Sequence, residues 1–394
     1  MADRTKIEWT DATWNPITGC SVVSPGCTNC YAMQLAGTRL KHTPSRKGLT
    51  SPSKAGPVWN GQVRFNREWL EQPLRWKRPR MVFVCAHGDL FHESVPDEWI
   101  DQIFAVMALC PEHTFQVLTK RARRMREYLH IREHQIVAAS LKLPRALTRW
   151  PHLPLPNVWL GVSVEDQTRA VERIPDLLQA RAAVRFVSAE PLLGPLDLTS
   201  MEVGEGTIDA LNPIPWAEEL ENWRDTEEEW EESFLDWYYL DTIPTKGDLH
   251  PTLDWVIAGG ESGSAARPMH PEWVRSLRDQ CAASDAAFFF KQWGSWKPIC
   301  QMPETEYSKL YRPNFKAKEG EDQDIITELY GNTCTVPTRC LRIDGDHVDM
   351  HSPRAFLQGT SPMTAFMVGK KASGRTLDGC EHNEMPQPRE VPAL

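Results

Sequence analysis

Met81-Val-Phe-Val-Cys85 is followed by Pro96-Asp-Glu-Trp99 and then by Thr114-Phe-Gln-Val-Leu118, and the reading of this stretch decides the fold. The first and third pieces are short, nearly continuous in apolar side chains and rich in β-branched and aromatic residues, as strands covered on both faces are. Pro96-Asp-Glu-Trp99 opens a helix. Proline and acidic residues suit a first helical turn, and Trp99, Ile100, Ile103, Phe104 and Met107 recur at helical spacing. Strand, helix and strand in succession make a βα unit whose strands run parallel, because the helix carries the chain back to the same end of the sheet.

The unit repeats along the chain beyond it. Arg121 to Leu129 and Arg132 to Leu143 read as helices, Val158-Trp-Leu-Gly-Val162 as a strand, Thr168 to Ala180 as a helix and Val184-Arg-Phe-Val187 as a strand. Further on come the strand Trp255-Val-Ile-Ala258, a helix from Pro271 to Ala283 and the strand Ala287-Phe-Phe-Phe290. The fold class is therefore α/β, with a complete or partial parallel β/α barrel (TIM-like) carrying insertions as the expected architecture and an open doubly wound sheet as the alternative. The barrel is favoured because polar residues gather at the C-terminal strand ends: His87 and Asp89, Lys120, Ser163 and Glu165, Glu190, and Glu261. In a barrel those ends share one mouth, whereas an open sheet concentrates them only at its switch point.

This divides the chain into residues 1–199 as the N-terminal part of the barrel, 200–250 as an acidic, tryptophan-containing insertion, 251–299 as the C-terminal part of the barrel, and 300–394 as a C-terminal extension. Within the extension Leu341-Arg-Ile-Asp-Gly-Asp346 reads as a turn or short hairpin, and the tail past Pro386 is expected to be disordered. At 394 residues and 41% hydrophobic content the chain can bury a large core. It holds no run of eighteen apolar residues, so no membrane partner is expected.

The net charge of −9 is local in origin, since residues 216 to 241 carry eleven acids against the single base Arg224. Trp216, Trp223, Trp230 and Trp237 recur there every seven residues, which places the rings near one helix face for packing against the body. From Arg39 to Arg80 the balance reverses, and Lys120, Arg121, Arg123, Arg124 and Arg126 form a second basic group. Both groups are candidates for holding phosphates, with a solvated face as the other reading. Because Gly, Pro, Ser and Lys dominate residues 44 to 57, Arg39 to Arg80 is expected to form a mobile loop beside the mouth.

Gly19-Cys-Ser-Val-Val-Ser-Pro-Gly-Cys-Thr-Asn-Cys-Tyr31 packs Cys20, Cys27 and Cys30 into eleven residues. A loop holding Pro25 and Gly26 can fold three sulfurs round one point, and three thiolates without a fourth nearby suit an iron-sulfur cluster with one open iron. Structural zinc is the alternative, and its fourth ligand would come from Cys85 or His87. Disulfides fit poorly, because no apolar signal segment precedes the loop and a large chain with scattered thiols reads as cytoplasmic.

Trp14-Asn-Pro-Ile-Thr-Gly-Cys20, Ser24-Pro-Gly-Cys27-Thr-Asn-Cys30-Tyr-Ala32, Asp89-Leu-Phe-His92, Ser188-Ala-Glu-Pro-Leu192, Gly259-Gly-Glu-Ser262 and Leu377-Asp-Gly379 together resemble a phage-associated three-cysteine-motif family of unsettled function. That family is in turn similar to a divergent branch of the radical S-adenosylmethionine superfamily, whose partial barrels carry three cysteines after the first strand. The superfamily spacing is Cys-x3-Cys-x2-Cys with an aromatic residue before the last cysteine; here the first gap is six residues, Asn29 precedes Cys30 and Tyr31 follows it.

The resemblance implies a [4Fe-4S] cluster on Cys20, Cys27 and Cys30, S-adenosyl-L-methionine bound at its open iron, and one-electron cleavage to a 5′-deoxyadenosyl radical fed by an electron donor protein. It implies cofactor binding by Tyr31, Ser163, Glu165, Gly259, Gly260 and Glu261, and catalytic roles for Asp89, Lys120 and Glu190. Carboxylates among these would meet the methionine amine and ribose hydroxyls, and Lys120 the methionine carboxylate. The expected function is modification or repair of a nucleic acid base or nucleotide by a phage-encoded or bacterial cytoplasmic enzyme. The rival from another class is a zinc-stabilised nucleic-acid-binding protein without catalysis.

Overall fold

The computed structural model describes residue 5 and residues 7–130, 132–148, 151, 153–204, 206–212, 251–284 and 286–387. The acidic run with its four tryptophans, and the tail past Gln387, lie outside the described residues.

Seven parallel strands follow one another across a single sheet in chain order. They are β1 (Ala12–Trp14), β2 (Met81–Val84), β3 (Thr114–Thr119), β4 (Val158–Ser163), β5 (Val184–Ala189), β6 (Trp255–Gly259) and β7 (Ala287–Gln292). Sequential order without a reversal leaves no switch point, so the doubly wound alternative is excluded. The sheet curls into a half-barrel with two distinct apolar faces. Trp9, Phe83, Trp159, Phe186, Trp255 and Phe289 form the inner cluster, while Val82, Val84, Phe115, Val117, Leu160 and Val162 belong to the outer one. These are the two alternating sets that a pleated strand presents.

Curvature is visible in the ring contacts. Trp9, just ahead of β1, lies 4.8 Å from the Phe83 ring, 6.5 Å from Phe186 and 6.1 Å from Trp255. One side chain reaches rings on β2, β5 and β6 only if the sheet wraps round it. Gly161 on β4 makes room for this core, because a Cβ there would lie 2.5 Å from the Phe186 ring.

Helix α1 (Tyr31–Gly37) packs through Ala32, Met33 and Ala36 on Leu49 and Trp59, and the outer face is covered by helices α2 (Asp97–Ala108), α3 (Ala122–Leu129), α4 (Glu133–Ser140), α5 (Gln167–Gln179) and α6 (Pro271–Ser284) in chain order. In α2 the acids Asp97 and Glu98 occupy the first turn and Ile100, Ile103, Phe104 and Met107 are buried, as the periodicity required. Asp166 caps α5 by accepting the Arg169 N–H at 3.0 Å.

Two expectations need correcting. Cys85, read as the end of a strand, lies one residue beyond β2 in the left-handed region with φ 57°. Arg39 to Arg80 is not a simple loop, since Thr50–Ser53 pairs antiparallel with Gly56–Trp59 and Arg67–Leu70 is helical. Beyond the barrel, Thr338–Leu341 pairs with His347–Val348 as the expected hairpin, in a four-stranded sheet with Lys297–Pro298 and Met363–Phe366. No helix among the described residues is long and apolar enough to cross a membrane.

Candidate active site

The cysteine loop leaves β1 and passes over the C-terminal strand ends. Gly19 has φ +98°, and a side chain on it would overlap the Gln62 carbonyl oxygen, so glycine is required to bring the chain to Cys20 by this route. At Gly26 the loop closes on the barrel: a Cβ there would lie 3.0 Å from the Glu165 carboxyl carbon and 3.1 Å from Lys120 Nζ.

Four strand ends grip the loop. After β2 and β3, Arg121 donates from Nη1 to Cys20 Sγ at 3.4 Å and to Asp89 Oδ2 at 3.1 Å, and from Nη2 to Ser21 Oγ at 2.6 Å. Asp89 also accepts from Thr119 Oγ1 at 2.7 Å and from the backbone N–H groups of Phe91 and Lys120. After β4, Glu165 accepts from Gly26 N at 3.2 Å, Lys120 Nζ at 2.7 Å and Arg173 Nη1 at 3.2 Å. After β6, Glu261 accepts from Asn29 Nδ2 at 2.9 Å and from Arg267 Nη2 at 2.6 Å, and Arg267 Nη2 donates in turn to Pro25 O at 3.0 Å.

Burial governs the electrostatics. It pushes the Cys20 thiol up to about 12, with Asp89 adding to the rise and Arg121 opposing it. Burial likewise raises Cys30. Burial alone would raise the Glu165 carboxyl too, but Lys120, then the Ser24 hydroxyl and Arg173, outweigh it and bring that group down to about 2. His92 is lowered by burial; its Nδ1 accepts the Ser94 N–H, so Nε2 carries the proton and donates to Ser21 Oγ at 3.0 Å.

Cys20, Cys27 and Cys30 lie within electrostatic reach of one another. Among the described residues no group of three or more His, Cys, Asp and Glu side chains closes round a point as a single ion would need. A cluster makes a different demand, because each sulfur binds its own iron. Three thiols on one loop, one of them against a guanidinium that offsets thiolate charge, match that donor chemistry. Cys85 is buried in the outer core.

The remaining expected residues are placed as follows. Glu190 accepts from Lys291 Nζ at 3.0 Å, and its backbone carbonyl from Ser163 Oγ at 3.4 Å. A Cβ on Gly259 would collide with Glu190 Oε1, and one on Gly260 with the Trp293 carbonyl, so both glycines allow a close approach beside Glu261. Tyr31 donates its hydroxyl to Ala86 O at 2.6 Å and its ring stands edge-on to His87. The second basic group offers no free charge: Lys120, Arg121, Arg123, Arg124 and Arg126 pair with Glu165, Asp89, Glu127, Asp97 and Asp176.

Residues 4–386 match the model of a family described as "Protein of unknown function (DUF5131)". The chain belongs to the DUF5131 family. No curated protein and no solved structure matches it. In this DUF5131 chain the sequence reading missed the positions of Asn29, Arg173 and Arg267 at the site, and placed Arg121 in a basic group open to phosphate or to solvent. Arg173 carried a signal, a charge on the apolar face shared by Ala170, Ile174 and Leu177. Asn29 and Arg267 carried none, since Asn29 meets Glu261 across 232 positions and Arg267 meets the Pro25 carbonyl across 242.

Proposed function

We propose that the chain is a radical S-adenosylmethionine-type enzyme whose [4Fe-4S] cluster is held by Cys20, Cys27 and Cys30, acting on a nucleic acid base or nucleotide. The observation that carries this reading is the three-thiol loop, clasped over the strand ends by Arg121, Glu165, Glu261 and Arg267. When bound, the cluster and S-adenosylmethionine would supply a radical by one-electron reduction from a donor protein, and the hard chemistry is theirs.

The chain's own residues hold that site. Arg121, itself fixed by Asp89, places positive charge against the Cys20 sulfur and disperses the charge of thiolate ligands. Asp89 thus acts as a positioning residue. Glu165 and Lys120 form a buried pair that anchors Gly26 between Cys20 and Cys30, and Glu261 anchors Asn29. Glu190, with Lys291 beside it, is the carboxylate best suited to a ligand amine or hydroxyl, since no loop residue occupies it.

Iron and sulfide analysis after anaerobic reconstitution tests the proposal. About four irons and four sulfides per chain are expected, lost when Cys27 is replaced by Ala. A chain that takes up one zinc and no iron under the same conditions overturns the reading in favour of the zinc-stabilised module.

A further inference from the structure

Arg46 is 5% exposed, yet no carboxylate pairs with it among the described residues. Its Nη1 donates to Ser45 Oγ at 2.8 Å, its guanidinium stands 5.7 Å from the Trp69 ring, and its buried Nε has no partner. A buried charge left this way is costly, and the other buried arginines among the described residues, Arg121, Arg173 and Arg342, all meet carboxylates. Arg46 is held in place from both sides: Thr18 donates to the Ser45 carbonyl at 2.7 Å, and Arg64 clamps the carbonyls of Pro44 and Lys47.

Gly19 N, next to Thr18, donates to His87 O at 3.1 Å, which brings His87 to the same corner, and His87 Nδ1 is a second buried nitrogen without a hydrogen bond. The Arg46 charge reaches both His87 and Tyr31; burial first and Arg46 second bring His87 down to about 4, so its ring is neutral. Tyr31 follows Cys30 directly, which sets the corner beside the cysteine loop. No acid occurs from Arg39 to Arg67, a span that also holds Lys41, Lys47, Lys54 and Arg64. A basic segment without acids favours a multiply charged anion, the Glu190 carboxylate acting only on the Tyr31 edge of the corner, and the fork of a guanidinium matches the oxygens of a phosphate.

We infer that the Arg46 corner, with His87 and Tyr31 at its edge, is a phosphate-binding subsite that receives the phosphate of a nucleotide. This rests on the nucleotide branch of the proposed function and names its recognition chemistry. Binding does not depend on the cluster, so it is measured on the full chain, with iron counted separately on the same preparation. A phosphate preference without iron leaves this inference standing and the radical reading fallen; iron without a phosphate preference does the reverse.

The test titrates the four common nucleoside 5′-monophosphates, the matching nucleosides and inorganic phosphate by calorimetry, with thermal melts alongside. At least one monophosphate is expected to bind about tenfold or more tightly than its nucleoside and to raise the melting temperature of the unaltered chain. Arg46→Met should erase that preference while melting no lower than the parent, because it removes an unneutralised buried charge and keeps the packing of the stem. Equal binding of nucleotide and nucleoside, or a preference that survives Arg46→Met, overturns the inference. So does a variant that melts several degrees lower, which would mark Arg46 as structural. Inorganic phosphate binding as tightly as every nucleotide would assign the corner to a free anion and overturn the substrate assignment.

Discussion

Glu165 shows how one side chain ties distant parts of the site together. Its carboxyl is fully buried and held at about 2, against an ordinary 4.5, because Lys120, the Ser24 hydroxyl and Arg173 favour its charged form more than burial disfavours it. A depressed carboxyl contributes stability that is fully present above its unfolded pKa and is lost as pH falls through its folded value. Stability should therefore decline from about pH 4.5 to pH 2 by an amount on the order of 3 kcal/mol for this group. Urea unfolding of the parent and of Glu165→Gln at several pH values checks this. The variant is expected to start less stable at neutral pH, through the unpaired Lys120 and Arg173, and to show a shallower acid slope; parallel slopes would show that Glu165 does not titrate in that window.

At the scale of the element, β4 and β5 are matched by volume across the inner face. Gly161 faces the Phe186 ring, and a methyl group there has 2.5 Å in which to fit. Gly161→Ala is expected to cost about 1–3 kcal/mol by overpacking, read as a lowered urea midpoint. Adding Phe186→Leu should recover part of that loss, a non-additivity expected only of residues in contact. If the two substitutions simply add, the inner face is more yielding than its packed rings indicate. This element-scale matching was half legible: the apolar run Val158 to Val162 marked a strand, but nothing local told why a glycine stood in it.

At the scale of the molecule, the half-barrel leaves β7 as an edge, and the end of the chain covers it. Phe289 bridges Asn383 antiparallel, Phe290 N donates to His382 O at 3.0 Å, and Glu384 N donates to Phe288 O at 3.2 Å. Trp255 Nε1, from the inner core, donates to Glu384 O at 2.9 Å. Ending the chain after Cys380 should expose this edge and orphan the indole, giving lower soluble yield and a concentration-dependent rise in light scattering. A truncated chain whose light scattering and melt match those of the parent would show that the edge needs no cover.

Sequence by itself determined the βα alternation and nearly every strand and helix of the half-barrel, because period and punctuation are local properties that a few neighbouring residues carry. It also pointed to the three thiols, which are close along the chain. What only the tertiary structure decided is who pairs with whom. The strand order ruled out a doubly wound sheet, and the bases from Lys120 to Arg126, which looked open to phosphate, were claimed by acids of this chain. Gly26 meets Glu165 across 139 positions and Arg121 meets Cys20 across 101. Contacts of that separation leave no trace in local pattern: a charge is read the same way in sequence whether it ends in water, against a carboxylate or, as at Arg46, buried beside neither.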